Sequence, residues 1–343
     1  MANERIIGIY LKGENSTTAV FENGKSAMLP IKYPGKVSFL TDEPESETER
    51  FVTDYAGALG YLKFAAQQHL GEITDVVAIA VPGAYCSIRN IHYIQKAAKM
   101  VGFESARVCS DAAFAAFPFC KQQDEEMVTI VSAADGISVA SVGISEGVVE
   151  VLYSEGITKE EGIASVPAAI SRALEQRYMP DAKTTFLLID ETDSAELLHE
   201  VAKIADGQPI VTRHDTDYVA FGAAMQSDVL AGNGTGILLA MLSYEVWVDI
   251  DGTLKLLSAR RERTDCFRPD TIPIDCQLSV EGKPKSVNIF EWNRKPNGKK
   301  IPLGRIEMNG FDEIDMAIDA GGNASLTVSD TYTGAKKTFS LPC

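Results

Sequence analysis

Side chains able to do chemistry are thinly spread in this sequence. Its four histidines, His69, His92, His199 and His214, have no paired-ligand spacing. His199 has Glu196 and Glu200 beside it, but all three fit the solvated face of one helix. The six cysteines, Cys86, Cys109, Cys120, Cys266, Cys276 and Cys343, include no Cys-x-x-Cys pair. A zinc site or disulfide framework is therefore not expected, and a reduced, cytoplasmic setting is. No Gly-x-Ser-x-Gly elbow is present. The residues by themselves point to no catalytic group, no metal and no cofactor.

The elements that would position any site divide the chain in two. The opening run Ile6–Leu11, then Thr17–Phe21, joined onward by Glu22-Asn23-Gly24-Lys25, predicts a β-meander with a tight hairpin. It reads as the first strands of a domain and not as a signal peptide. Apolar residues recur at helical spacing over Glu49–His69 (Phe51, Tyr55, Ala58, Leu59, Leu62). The Thr41–Thr48 stretch reads as a loop. Val76–Val81 is a buried strand, Ile88–Val101 a helix closed by Gly102, Arg107–Cys109 a strand and Asp111–Phe117 a helix stopped by Pro118. The plan then repeats: strands at Val128–Ser132, Ser138–Ile144 and Val148–Leu152, a helix at Pro167–Tyr178, a strand at Thr185–Ile189, a helix at Ala195–Ile204, a strand at Ile210–Val211 and a helix at Tyr218–Leu230. This is the mark of an internal duplication. A glycine-rich break at Ala231–Gly236 leads to the apolar run Ile237–Leu242. After it, turn signals at Asp251-Gly252, Glu281-Gly282, Asn297-Gly298, Asn309-Gly310, Gly321-Gly322 and Thr333-Gly334 predict an all-β sandwich.

Charge limits the partners. The net charge is −16, and Met1–Thr235 holds 33 acidic against 18 basic residues. Such a surface repels phosphate backbones, so direct nucleic-acid binding is not expected there. The basic stretch Lys283–Arg305 reads as a solvated hairpin face. No apolar run reaches the roughly 18 residues that cross a bilayer, so no membrane role is expected.

Several segments, in order, resemble the seventy-kilodalton heat-shock chaperone family. Val76–Tyr85 is similar to the family's strand followed by Val-Pro-Ala-Tyr. Asp111–Ala116 stands where the family has Asn-Glu-Pro-Thr-Ala-Ala. Thr216–Gln226 resembles Pro-Asp-Glu-Ala-Val-Ala-x-Gly-Ala-Ala-x-Gln, the most specific match. Ile237–Leu242 sits at the place of the interdomain linker, and Thr271-Ile272-Pro273, Leu303-Gly304 and Asp330–Gly334 match sandwich landmarks. The resemblance implies a duplicated α/β actin-like ATPase fold, reduced in its outer subdomains, over residues 1–232. A β-sandwich without a helical lid would follow over 237–343.

The departures from the family pattern carry the functional expectation. The resemblance places triphosphate on two glycine-rich hairpins, with carboxylates holding the water shell of a magnesium ion. The first hairpin, Asp-Leu-Gly-Thr-Thr-Asn-Ser in the family, reads Tyr10-Leu11-Lys12-Gly13-Glu14-Asn15-Ser16. Tyr10 replaces the acid, and Glu14 brings a negative charge toward a phosphate. Like charges ~4 Å apart cost about 1 kcal/mol in water and about 4 kcal/mol at an effective dielectric near 20. The second hairpin, Asp-Leu-Gly-Gly-Gly-Thr-Phe-Asp, reads Ser132-Ala133-Ala134-Asp135-Gly136-Ile137-Ser138-Val139. Ser132 and Val139 replace its acids, and Asp135 adds another anion. The adenosine-side Gly-Gly-x-Thr-Arg reads Asp190–Ser194, and only Asp111 keeps a carboxylate, replacing a glutamate. The short stretches before Val76 and between Gly156 and Thr185 omit the family's catalytic lysine and the cover of the base. The resemblance therefore implies a pseudo-ATPase that acts by binding protein. Its design is similar to that of an atypical ribosome-associated member paired with a J-domain protein. The alternative is a free-standing clamp for extended apolar peptides, with Val287 aligned on the peptide pocket and Val246, Trp247 and Val248 near its other wall.

Overall fold

The computed structural model describes residues 5–40, 48–120, 125–145, 148–176, 184–214, 217–233, 237–241, 245–258, 263–264, 272–273, 278–281, 284–292, 300–318 and 323–342. The first sheet contains β1 (Ile6–Tyr10), β2 (Thr17–Glu22), β3 (Lys25–Lys32), β4 (Val76–Val81) and β5 (Ser105–Ser110), in the order β3-β2-β1-β4-β5. β1, β2 and β3 pair antiparallel; β4 and β5 add in parallel. The Asn23-Gly24 hairpin forms as expected, with both residues at positive φ and Glu22 facing Lys25. Helices α1 (Thr48–Leu70) and α2 (Ile88–Met100) lie between these strands in sequence.

The next unit repeats the strand order. After α3 (Asp111–Cys120) come β6 (Glu125–Ala134), β7 (Gly136–Ser145), β8 (Val148–Ile157), α4 (Val166–Glu175), β9 (Thr184–Asp190), α5 (Ala195–Ala205), β10 (Ile210–Arg213) and α6 (Asp217–Leu230). The second sheet runs β10-β9-β6-β7-β8, the same plan of meander plus two parallel strands. β11 (Ile237–Met241) extends it, parallel to β8, and β14 (Arg263–Thr264) pairs with β11. The apolar run after the glycine-rich break is thus a strand of this sheet, between β8 and β14.

Both faces of each sheet are covered, which is why β4 and β9 read as unbroken apolar runs. α1 and α2 close one face of the first sheet around Phe51, Tyr55, Leu59 and Ile94. α3 and α6 fill the space between the sheets, and α4 and α5 close the far face of the second. The middle layer is made of small residues: Ala78 and Ala80 from β4, Ala112, Ala113, Ala115 and Ala116 from α3, and Ala220, Ala223 and Ala224 from α6.

Pro118 does not stop α3, which continues through it to Cys120. A proline there removes the amide that would bond to the Phe114 carbonyl. α6 covers that carbonyl closely at Gly222, where a Cβ would overlap the Phe114 oxygen and sit 3.3 Å from Pro118 Cδ. Tertiary packing thus tolerates what the local signal forbids. α4 begins at Val166 and is described to Glu175, short of the expected Tyr178.

The remaining strands are β12 (Glu245–Ile250), β13 (Thr253–Ser258), β15 (Ile272–Pro273), β16 (Leu278–Ser279), β17 (Ser286–Trp292), β18 (Lys300–Glu307), β19 (Glu313–Ile318), β20 (Ala324–Ser329) and β21 (Lys336–Ser340). They form one sheet ordered β13-β12-β17-β18 and another ordered β15-β19-β20-β21, with β16 also on β19. The two share a core that includes Val248, Ile289, Ile306, Met316 and Leu326. The turns at Asp251-Gly252 and Asn309-Gly310 have the expected positive φ. The loop expected over Thr41–Thr48 lies outside the described residues up to position 47, with Thr48 starting α1. The Asn297-Gly298 and Gly321-Gly322 turns, and part of the basic stretch Lys283–Arg305, also lie outside them.

Candidate functional site

The two hairpins meet at the junction of the two sheets. β1 ends at Tyr10, whose side chain is fully buried. The turn after it is closed by Ser16, whose Oγ accepts from the Lys12 amide at 3.0 Å and donates to the Lys12 carbonyl at 2.9 Å. Asp111 stands at the start of α3, and Ser132 and Ser138 face it from β6 and β7.

Asp111 is 1% exposed, and both of its oxygens are occupied. Tyr10 donates its phenol O–H to Oδ2 at 3.1 Å, and Ser132 donates to the same atom at 2.8 Å. The Gly83 and Ala112 amides donate to Oδ1 at 3.2 and 2.9 Å. A carboxylate offers about four acceptor positions, so this one is saturated by the protein. The Gly83 amide also reaches Ser138 Oγ at 2.7 Å. Because Tyr10 and Gly83 belong to the first half and Ser132 and Ser138 to the second, the network joins the halves.

Burial pushes the Asp111 carboxyl above its usual range, against the Ser138 and Ser132 hydroxyls, the Ala112 amide and the Tyr10 phenol, which favour its anion. Burial, then the neighbouring Asp111 and Glu191 charges, push the Tyr10 phenol well above 10. Tyr85, half-buried nearby, is raised to about 12 by burial and by Asp135 and Glu160.

The rest of the junction is closed by charge pairs. Asp135 lies against Gly13, where a Cβ would overlap its carboxylate, and it is ion-paired with Lys159. Only glycine permits that approach. The Lys159 ammonium is raised, first by its hydrogen bond to Asp135. Lys12, almost wholly buried, pairs with Glu191 across the halves. Asp190 accepts from the Thr192 and Ser194 amides at 2.8 and 2.7 Å, shaping the turn into α5, which Ser194 caps at the Leu197 amide.

The structure therefore gathers Tyr10, Gly13, Asp111, Ser132 and Asp135 in one place. Gly136 forms the β6–β7 turn at φ +109° beside Ala84. Glu14 is exposed; its backbone forms an isolated antiparallel bridge with Lys36, and its charge adds to that of Asp135 in raising the Lys159 ammonium. Val139 is buried under α4 and α5 as core. Sequence reasoning gave no role to Lys12, Gly83, Ser138, Lys159 or Glu191. A lysine beside a hairpin glycine was the one available signal, since it offers a charge to the opposite half.

The four sandwich residues lie elsewhere. Val246, Val248 and Val287 point into the sandwich core, where an extended segment cannot reach them without parting the sheets. Trp247 is on the outer face, 7% exposed, set edge-on to Trp292 at 5.7 Å and donating to Glu245 at 3.0 Å. Among the described residues no three His, Cys, Asp or Glu side chains converge as a metal site. No helix among them is long and apolar enough to cross a membrane.

No family model matches the chain. Its curated relatives include the stromal 70 kDa heat shock-related protein of Spinacia oleracea chloroplasts, 26% identical over 186 residues, 48% of this chain and 30% of that protein. The chaperone protein DnaK of Mycoplasma mycoides is 26% identical over 197 residues, covering 52% of this chain and 31% of that one. Heat shock 70 kDa protein 7 of Arabidopsis thaliana chloroplasts is 23% identical over 240 residues, 64% and 31% of the two. This chain is related to the 70 kDa heat-shock chaperones. The relationship is partial, and the matched stretch spans about a third of each relative. The mixed α/β architecture with several sheets is compatible with a reduced actin-like fold joined to a β-rich unit.

Proposed function

We propose that this protein is a chaperone-like binder of protein segments that works without binding or hydrolysing ATP. The observation that carries the reading is the saturated Asp111. This one carboxylate, standing in place of a glutamate in the pattern the chain resembles, has its acceptor positions taken by Tyr10, Ser132, Gly83 and Ala112. A magnesium-bound water would have to displace one of these donors inside a closed site. The Asp135 carboxylate over Gly13 supports the same reading, because it sets a negative charge against the hairpin on which the resemblance places phosphate.

On this proposal residues 1–232 form a pseudo-ATPase unit of actin-like type and 237–343 a substrate-binding-like sandwich, with β11 anchoring the second to the first. The protein acts in the cytoplasm on a protein partner, a J-domain protein or a ribosome-associated factor, with no direct nucleic-acid contact. The clamp for extended apolar peptides is less favoured, because Val246, Val248 and Val287 are taken up in the sandwich core. The test is thermal unfolding in millimolar ATP with magnesium. A nucleotide at 100 times its Kd stabilises by about 2.7 kcal/mol, so an unchanged Tm supports the reading and a saturable rise refutes it. Co-purification then separates the binding readings: one stoichiometric protein supports a fixed partner, and a heterogeneous set of peptides supports the clamp.

A further inference from the structure

The sandwich is seated on the first half at the N-terminus of α2. A helix start leaves unpaired amides and a partial positive charge. Ser87 caps α2 in the usual way, its Oγ accepting from the Asn90 amide at 3.1 Å. The Ile88 amide, which Ser87 does not reach, donates instead to Oε1 of Glu291 at 2.8 Å, from β17 of the sandwich. The Ile88 side chain is 1% exposed and belongs to the same buried cluster as the sandwich core. A residue of the first half thus plugs the sandwich, and a carboxylate of the sandwich caps a helix of the first half.

We propose that Glu291 makes this seat a pH-operated clasp, closed on acidification and released as the pH rises past neutrality. Glu291 is 1% exposed and lies between Val246 of β12 and Ile301 of β18 in the strand register. The charged group acting on it is Arg89, from α2. His92, Lys96 and Lys99 lie further along the open side of α2. On the neighbouring strands, Glu245 is engaged with Trp247, and Lys300 lies over Phe290 and Trp292.

Burial raises the Glu291 carboxyl from its ordinary 4.5 to about 7, outweighing the Ile88 and Arg89 amides and the Arg89 charge, which all favour the anion. In the open state the group returns to water and to its ordinary range. The seated form therefore takes up a proton more readily than the open form. Its extra stability is complete below about pH 4.5 and is lost as the pH rises through about 7. Between pH 5 and pH 8 the seating constant falls roughly 70-fold. The clasp needs no nucleotide, so it stands or falls separately from the proposed function.

The test uses the full chain and reads the exchange protection of the Ile88 amide from pH 5 to pH 8, corrected for the intrinsic rate. Trp292 emission, from the residue after Glu291, is followed in parallel. The wild type should lose protection roughly 70-fold across that range while its far-ultraviolet circular dichroism holds constant. Glu291→Gln keeps an acceptor but cannot titrate, so its protection should be flat. Ile88→Ala leaves Glu291 in place and weakens the plug, so release should move to lower pH. A flat wild-type profile, a profile shared by Glu291→Gln, or an unmoved midpoint in Ile88→Ala overturns the proposal.

Discussion

Tyr10→Phe tests whether the Asp111 network holds the two halves together. The substitution removes one O–H and leaves the ring, so the fully buried site gains no appreciable cavity. What is lost is a hydrogen bond to a carboxylate, which contributes about 1.5–3 kcal/mol when the acceptor is charged. The observed 3.1 Å is long for an O–H donor to a carboxylate, so the lower end applies, about 1.5 kcal/mol. For a unit the size of residues 1–232 that lowers Tm by about 3–6 °C. Urea unfolding should be followed by two probes. Helices α1–α6 all precede the sandwich, so far-ultraviolet circular dichroism reports the paired halves, whereas Trp247 and Trp292 report the sandwich. The loss should fall in the dichroism transition. In an Asp111→Asn background the same substitution should cost about 1 kcal/mol less, because the charged acceptor is already gone. An equal cost in both backgrounds, or a Tyr10→Phe protein indistinguishable from wild type, would refute the network as a link between the halves.

Millimolar ATP with magnesium should leave Tm unchanged by differential scanning fluorimetry, for the reason given above. Val287→Asp places a charge in the sandwich core and should destabilise that unit by about 3 kcal/mol or more, read as an early fluorescence transition in urea. It should do so with no partner present; loss of partner binding with sandwich stability intact would instead place Val287 on a binding surface. Gly222→Ala should drive α6 off the Phe114 carbonyl and lower the dichroism midpoint by about 1–3 kcal/mol of stability. A silent Gly222→Ala would mean that the α3–α6 contact yields freely.

Much of the architecture was legible in residue order. The apolar runs of β4 and β9, the helical spacing of α1 and α2, the Asn23-Gly24 hairpin and the turn signals of the sandwich each act within a few residues, where backbone preference and burial agree. The strand-by-strand repeat that underlies the two like-ordered sheets could be read the same way. The departures of the two hairpins from the resembled pattern were visible too, because Tyr10 and Asp135 differ in type from the acid and the glycine which that pattern has there. Tertiary structure alone decided what those replacements do. Tyr10, Gly83, Asp111, Ser132 and Ser138 are distant in sequence, and no local signal says that their donors and acceptors balance. Pro118 inside α3 and the core placement of Val246, Val248 and Val287 likewise depend on what lies opposite them. The same holds for Glu291, an unremarkable strand glutamate in the sequence. It becomes a buried cap only because Ile88 and the start of α2 are packed against it, and both burial and hydrogen bonding are properties of neighbours that the chain brings together by folding.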